Sequence, residues 1–154
     1  MRRFARLLPF TAVVVVMTAC GGPATTPAAK SQPAVFPVTI SRIGGIAGFR
    51  DVVVVTSDGL VSVAGKGQAP WQCRLTPQAA VRLTEAASTV PWPRLTPAST
   101  QPSFPDALVT TVRSPAGGPV RLEDPQTGAA GKVFADLLSD LRGGRSRSGT
   151  CRPV

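Results

Sequence analysis

Residues 52–63, Val-Val-Val-Val-Thr-Ser-Asp-Gly-Leu-Val-Ser-Val, carry the clearest structural signal in the chain. The run from Val52 to Thr56 is β-branched throughout, which stiffens each side chain and favours extended backbone. Ser57-Asp58-Gly59 supplies turn chemistry, and Leu60 to Val63 resumes a β-rich run, so a hairpin is predicted here. Upstream, Val38 and Ile40 alternate with Thr39 and Ser41, the period of a half-buried strand. That strand is expected to end in Gly44-Gly45-Ile46-Ala47-Gly48, where three glycines in five residues permit positive φ and close backbone approach.

Downstream, a loop with Gly65, Gly67 and Pro70 leads to Trp71 and Cys73. Thr76-Pro77 has the form of a helix start, with Thr as cap and Pro in the first turn. Ala79, Leu83, Ala86, Ala87 and Val90 then share one helical face, and Pro91 and Pro93 stop the helix. Residues 91–105 hold five prolines and read as a stiffened irregular loop. Leu108, Thr110 and Val112 alternate with Val109, Thr111 and Arg113 as a strand should. Ser114-Pro115-Ala116-Gly117-Gly118 turns this strand into Val120–Glu123, a second hairpin. Thr127 is placed to cap a final helix whose apolar face is Val133, Phe134, Leu137, Leu138 and Leu141, ended by Gly143-Gly144. The predicted class is α+β: an antiparallel sheet of two hairpin units with two helices packed on one face.

The chain has 154 residues, 43% hydrophobic and 16% charged, which suits one globular domain. It contains no His, Tyr or Asn, which removes imidazole acid–base chemistry, Ser–His and Cys–His pairs, and N-linked glycosylation acceptors. The formal charge of +9 is concentrated at the ends: Arg2, Arg3, Arg6 and Lys30 on one side, Arg142, Arg145, Arg147 and Arg152 on the other. Between residues 36 and 141, nine basic residues face eight acidic ones. A nucleic-acid module would carry its basic stripe and aromatics on the domain itself, so no nucleic-acid partner is expected.

Residues 1–20, MRRFARLLPFTAVVVVMTAC, place a basic start before an apolar run from Leu7 to Met17. Eleven residues at about 1.5 Å each cannot cross a hydrocarbon core of roughly 30 Å. This is the order of a removable export signal. Met17-Thr18-Ala19-Cys20 resembles the lipobox of bacterial lipoproteins. That resemblance implies a signal peptide over 1–19, a diacylglyceryl-modified Cys20 (palmitate being a typical acyl chain), and a mature chain anchored in the membrane and facing outward. Residues 20–35 then form a Pro/Ala/Thr-rich linker which, at about 3.1 Å per residue, reaches some 40–50 Å.

With Cys20 lipidated, Cys73 and Cys151 are left as one pair in an oxidising compartment. Their bridge would close a 78-residue loop and contribute up to about 4 kcal/mol in the chain-entropy account. It would also tie a basic tail, residues 143–154, to a domain spanning 36–142. Without His or a C-x-x-C spacing, no metal or cofactor is expected.

Catalytic constellations are equally absent. There is no G-x-S-x-G and no Lys three residues after a Ser. Glu123-Asp124 are neighbours at a strand end, and Asp136 and Asp140 lie one helical turn apart, where solvated surface is the default. The expectation is a protein that is not an enzyme.

The order Ile40-Ser41-Arg42-Ile43-Gly44-Gly45-Ile46-Ala47-Gly48, a hairpin, then Leu75-Thr76-Pro77 opening an Ala/Leu helix, resembles the emfourin family. DALVTTVRS at 106–114, VRLED at 120–124 and VFADLLSDL at 133–141 continue the similarity, which covers roughly residues 38–142. Its most specific part is the Gly-Gly-x-x-Gly segment. The resemblance implies a small inhibitor of protealysin-like, thermolysin-family zinc metallopeptidases, so that a metallopeptidase or another envelope protein is the expected partner. Exposed loops would make such contacts, with 44–49 and 91–105 the leading candidates. Within them Gly44, Gly45, Ile46, Gly48 and Phe49 shape the first loop, and Trp92 and Phe104 are the aromatic anchors of the second.

Overall fold

The computed structural model describes residues 34–142 and 149–154. The signal segment, Cys20, most of the linker and residues 143–148 lie outside the described residues.

The class is α+β, as predicted. Strands β1 (Val38–Gly44), β2 (Phe49–Val55), β3 (Leu60–Gly65) and β4 (Gln68–Leu75) precede helix α1 (Pro77–Thr89), and a 3-10 turn follows at Trp92–Arg94. Strands β5 (Leu108–Ser114) and β6 (Gly117–Arg121), helix α2 (Gly128–Leu141) and a short strand β7 (Cys151–Pro153) complete the order. The seven strands form one antiparallel sheet in the order β6-β5-β1-β2-β3-β4-β7.

The hairpin at 52–63 forms around Ser57-Asp58-Gly59. Thr56 N–H donates to Leu60 O at 2.9 Å, and Gly59 takes the left-handed φ of +79°. The second hairpin also forms, with Ser114 facing Gly117. The two units join because β5 lies against β1, with Ile40 opposite Val112 and Gly44 opposite Leu108.

One sheet face carries Val38, Ile40, Val53, Val55, Val61, Val112 and Val120 into the core, where α1 contributes Leu83, Ala86 and Ala87 and α2 contributes Phe134, Leu137, Leu138 and Leu141. Both predicted helical faces are therefore the buried ones, which is why the two helices share a side of the sheet.

Three local expectations are corrected. The loop leading to Cys73 is largely strand β4: Gly65 ends β3 after a register shift from Val63, Gly67 turns the chain, and Pro70 lies within β4. The tail does not simply trail: Leu75 lies opposite Cys151 and Cys73 opposite Pro153, so residues 151–153 belong to the domain. Thr76 caps α1 as expected, accepting from Ala79 N–H at 3.4 Å. Thr127 does not cap α2 with its side chain; its single hydroxyl proton is directed instead at the carbonyls of Asp124, 2.7 Å away, and Leu122, 3.0 Å away, locking the preceding turn.

Candidate functional site

The β1–β2 turn is built by glycine. Gly44, Gly45 and Gly48 have φ values of +94°, +73° and +59°, a region that other L-residues enter only at a cost. Gly48 N–H donates to Gly45 O at 2.8 Å, closing the turn, and Ile46 stands at its apex with 92% of its surface exposed. The turn is docked on the end of the 95–107 segment: Gly45 N–H donates to Ala107 O at 2.9 Å. At Gly44 a Cβ would sit 2.1 Å from that same oxygen and 2.7 Å from Pro102 Cγ, so only glycine fits.

This contact brings the two loops singled out in the sequence to one end of the sheet. Ala107 N–H donates to Phe104 O at 3.0 Å, which places Phe104 in the turn just before β5, 62% exposed. Leu108, the first residue of β5, is 46% exposed, and its Cδ1 lies 3.5 Å from where a Gly45 Cβ would be. Ile46, Phe104 and Leu108 are therefore exposed apolar residues carried by two segments braced on one another at this end of the sheet, the tip. Sequence reasoning placed Leu108 inside an ordinary half-buried strand. Its role depends on pairing with Gly44, which no local pattern displays.

Phe49 differs from the expectation of a free partner-binding residue. It is half-buried, with the Arg42 guanidinium carbon 3.8 Å above its ring centroid. Arg42 is itself buried and is ion-paired with Asp51, its register partner across β1 and β2. Phe49 thus supports the turn from below. Beside it a cleft of about 340 Å³ opens between Gly48, Lys66, Gln68 and the end of α2 at Leu141 and Arg142. The Arg42–Asp51 pair was not singled out in the sequence, although the two residues flank the glycine turn symmetrically.

Trp92 is not an interface anchor. Only 2% of its surface is exposed, its ring centroid lies 6.4 Å from that of Phe134, and its indole N–H is used on α1. Pro91 and the 3-10 turn fold it inward, so Phe104 is the exposed aromatic of the 91–105 segment. Cys73 and Cys151 form a disulfide with their Cα atoms 5.7 Å apart. Cys20 lies outside the described residues.

The acidic pairs are engaged in structural roles. Glu123 lies 3.6 Å from Arg121, Asp124 caps the 3-10 turn at Pro125–Thr127 by accepting from Gln126 N–H at 2.9 Å, and Asp136 pairs with Lys132 at 3.0 Å. Asp58, in the 52–63 hairpin turn, is held below its ordinary carboxylate pKa. The Thr56 hydroxyl contributes most, then Arg74 and the Leu60 amide. Among the described residues no three His, Cys, Asp or Glu side chains converge on a metal-sized site, and no helix is long and apolar enough to cross a membrane. No family model, curated protein or solved structure matches the chain.

Proposed function

We propose that the chain is an exported lipoprotein, anchored through Cys20, whose domain binds a protein partner without catalysis. The observation that carries this reading is the tip made by Ile46, Phe104 and Leu108. Two loops far apart in sequence are locked together at Gly44–Gly45, so the exposed apolar side chains stand on a pre-organised base and lose little freedom on binding. Isolated exposed apolar residues need no explanation, whereas three carried by segments braced together at one end of the sheet favour recognition. The resemblance to emfourins supplies the partner class, a thermolysin-like metallopeptidase.

The anchor is tested by fatty-acid labelling: wild-type chain takes up label and Cys20→Ala does not, while equal labelling rejects the anchor. The binding reading is tested with the chain from residue 21 onward, exported behind an ordinary cleavable signal. It should slow a thermolysin-family peptidase stoichiometrically and remain uncleaved. Absence of inhibition at large excess, for every metallopeptidase that co-occurs with it, rejects the inhibitor reading.

A second reading has its own observation. The disulfide and β7 hold Arg152 on the sheet, in register with Arg74. This favours an accessory envelope lipoprotein that contacts anionic lipid or wall polymer through its basic C-terminal region.

A further inference from the structure

The helices cover one face of the sheet, and the charges are divided between the two sides. On β2, β4, β5, β6 and β7, the arginines Arg50, Arg74, Arg113, Arg121 and Arg152 each sit between residues directed at the helices, so by strand alternation all five project from the opposite face. Two carboxylates lie beside them, and each is already paired: Asp58 with Arg74 at 3.2 Å and Glu123 with Arg121 at 3.6 Å. Arg50, Arg113 and Arg152 are exposed and pair with no carboxylate among the described residues. The helices carry the reverse balance: Arg82 and Lys132 against Glu85, Asp136 and Asp140. A near-neutral sequence between 36 and 141, joined by Arg152 from β7, therefore conceals a positive sheet face.

The middle of that face carries no charged side chain and forms a shallow, open hollow. Over β1 to β4 it presents Thr39, Val54, Ser62 and Gln72 in one row and Ser41, Val52 and Ala64 in the next, followed by Val154, which is 71% exposed. The β5 portion, Val109 and Thr111, is buried. Arg113 and Arg152 are separated by five strand spacings, about 24 Å at roughly 4.8 Å each. Arg152 stands directly opposite Arg74, whose own charge is met by Asp58, so the unpaired charge at this edge is that of Arg152.

We infer that this sheet face docks on an anionic phospholipid surface. Positive charge spread over some 24 Å matches a delocalised anionic plane better than a single acidic side chain. The chain outside the described fold supplies the proximity. Fourteen residues separate Cys20 from residue 34, and at no more than about 3.6 Å each they keep the start of the domain within roughly 50 Å of its anchor. Weak attraction then suffices to orient it. This inference rests on the lipid-anchor reading for its occupant and deepens the second functional reading. It fixes the orientation: sheet toward the lipid, helices away.

The test uses the unlipidated chain from residue 21 onward, so that its outcome is separate from that of fatty-acid labelling. The chain is sedimented with phosphatidylcholine vesicles containing about one third phosphatidylglycerol. It should bind these and not pure phosphatidylcholine, and it should be released as salt shortens the screening length from about 10 Å toward 3 Å. Each exposed arginine adds about fivefold to partitioning, so Arg50→Gln/Arg113→Gln/Arg152→Gln should lose roughly 100-fold. A control with the same charge change on the helices, Arg82→Gln/Lys132→Gln/Arg142→Gln, should stay within about threefold. Circular dichroism establishes that both triples are folded. No binding to anionic vesicles, full binding by the sheet-face triple, or equal loss in both triples overturns the inference.

Discussion

Trp92 donates its indole N–H to the carbonyl of Ala87 at 2.8 Å. Ala87 is in the last turn of α1, where carbonyls have no partner within the helix, so the indole closes that helix end while its ring packs on Phe134. Trp92→Phe removes this bond and leaves a buried acceptor, at a cost of about 1–2 kcal/mol. Trp92→Ala adds a cavity, for about 3–5 kcal/mol in total. Denaturant titration reads both values, and a cost below about 0.5 kcal/mol for Trp92→Ala contradicts the burial.

Gly44 and Gly67 separate backbone strain from collision. Both have positive φ, +94° and +73°, but a Cβ at Gly67 meets nothing within 4 Å, while at Gly44 it meets Ala107 O and Pro102. Gly67→Ala should cost about 1–2 kcal/mol from conformation alone. Gly44→Ala should cost more and displace residues 102–108, visible as amide shifts in that segment. Equal melting temperatures for the two variants would show that the loops are not locked together.

The sequence exposed whatever was local. Val52–Val63 folds as a hairpin because β-branched runs and Asp58-Gly59 agree, and α1 and α2 follow their apolar periods. Long-range relations were hidden. Strand β4 exposes Gln68, Ala69, Pro70, Gln72 and Arg74, so it has little alternation to read. Strand β7 has three residues and exists by pairing with β4 and by the bridge at Cys151. Of the candidate site, both loops were legible from glycine and proline content. Their meeting at Gly45 and Ala107, and the inward course of Trp92, depend on β5 returning to β1, which no short window encodes.

Cys73 and Cys151 enclose 78 residues, so breaking the bridge enlarges the unfolded ensemble substantially. The double variant Cys73→Ala/Cys151→Ala should lose about 2–4 kcal/mol, read from the denaturant midpoint. Strand β7 should also detach, since few contacts besides its pairing with β4 hold it. Hydrogen exchange at Arg152 should then rise toward the rate of unstructured chain. Unchanged protection at Arg152 would mean that strand pairing alone retains it.

Asp58 gives the acid response a definite sign. Its folded pKa is depressed below the ordinary 3.8, with the Thr56 hydroxyl first among the causes and Arg74 next. A depressed carboxylate contributes stability above its unfolded pKa and loses it as pH falls through the folded value, so the effect is confined to below about pH 4. A carbon-detected NMR titration should place the Asp58 midpoint under its ordinary value. Arg74→Gln should move that midpoint upward, and Thr56→Val should move it further. Because the carboxylate is exposed, stability near neutral pH should change little in Asp58→Asn.

The tip separates binding from folding. Ile46 is 92% exposed and Phe104 62%, so Ile46→Asp should leave the melting temperature within a degree or two, while Phe104→Asp, which loses the buried third of its ring, should lower it by a few degrees and remain folded. If the tip is the recognition surface, each should weaken partner binding by at least tenfold, since a desolvated apolar anchor typically contributes 2 kcal/mol or more. Leu108→Asp should act in the same direction with some loss of stability, because Leu108 also lies beside Gly45 at the end of β5. Trp92→Phe provides the opposite control: it lowers stability and should leave affinity unchanged under conditions where the variant is folded. Inhibition or binding measured on a responsive peptidase therefore yields two groups of variants. Tip variants that bind as well as wild type would remove the tip from the interface, and loss of affinity in Trp92→Phe alone would point to the helix side instead.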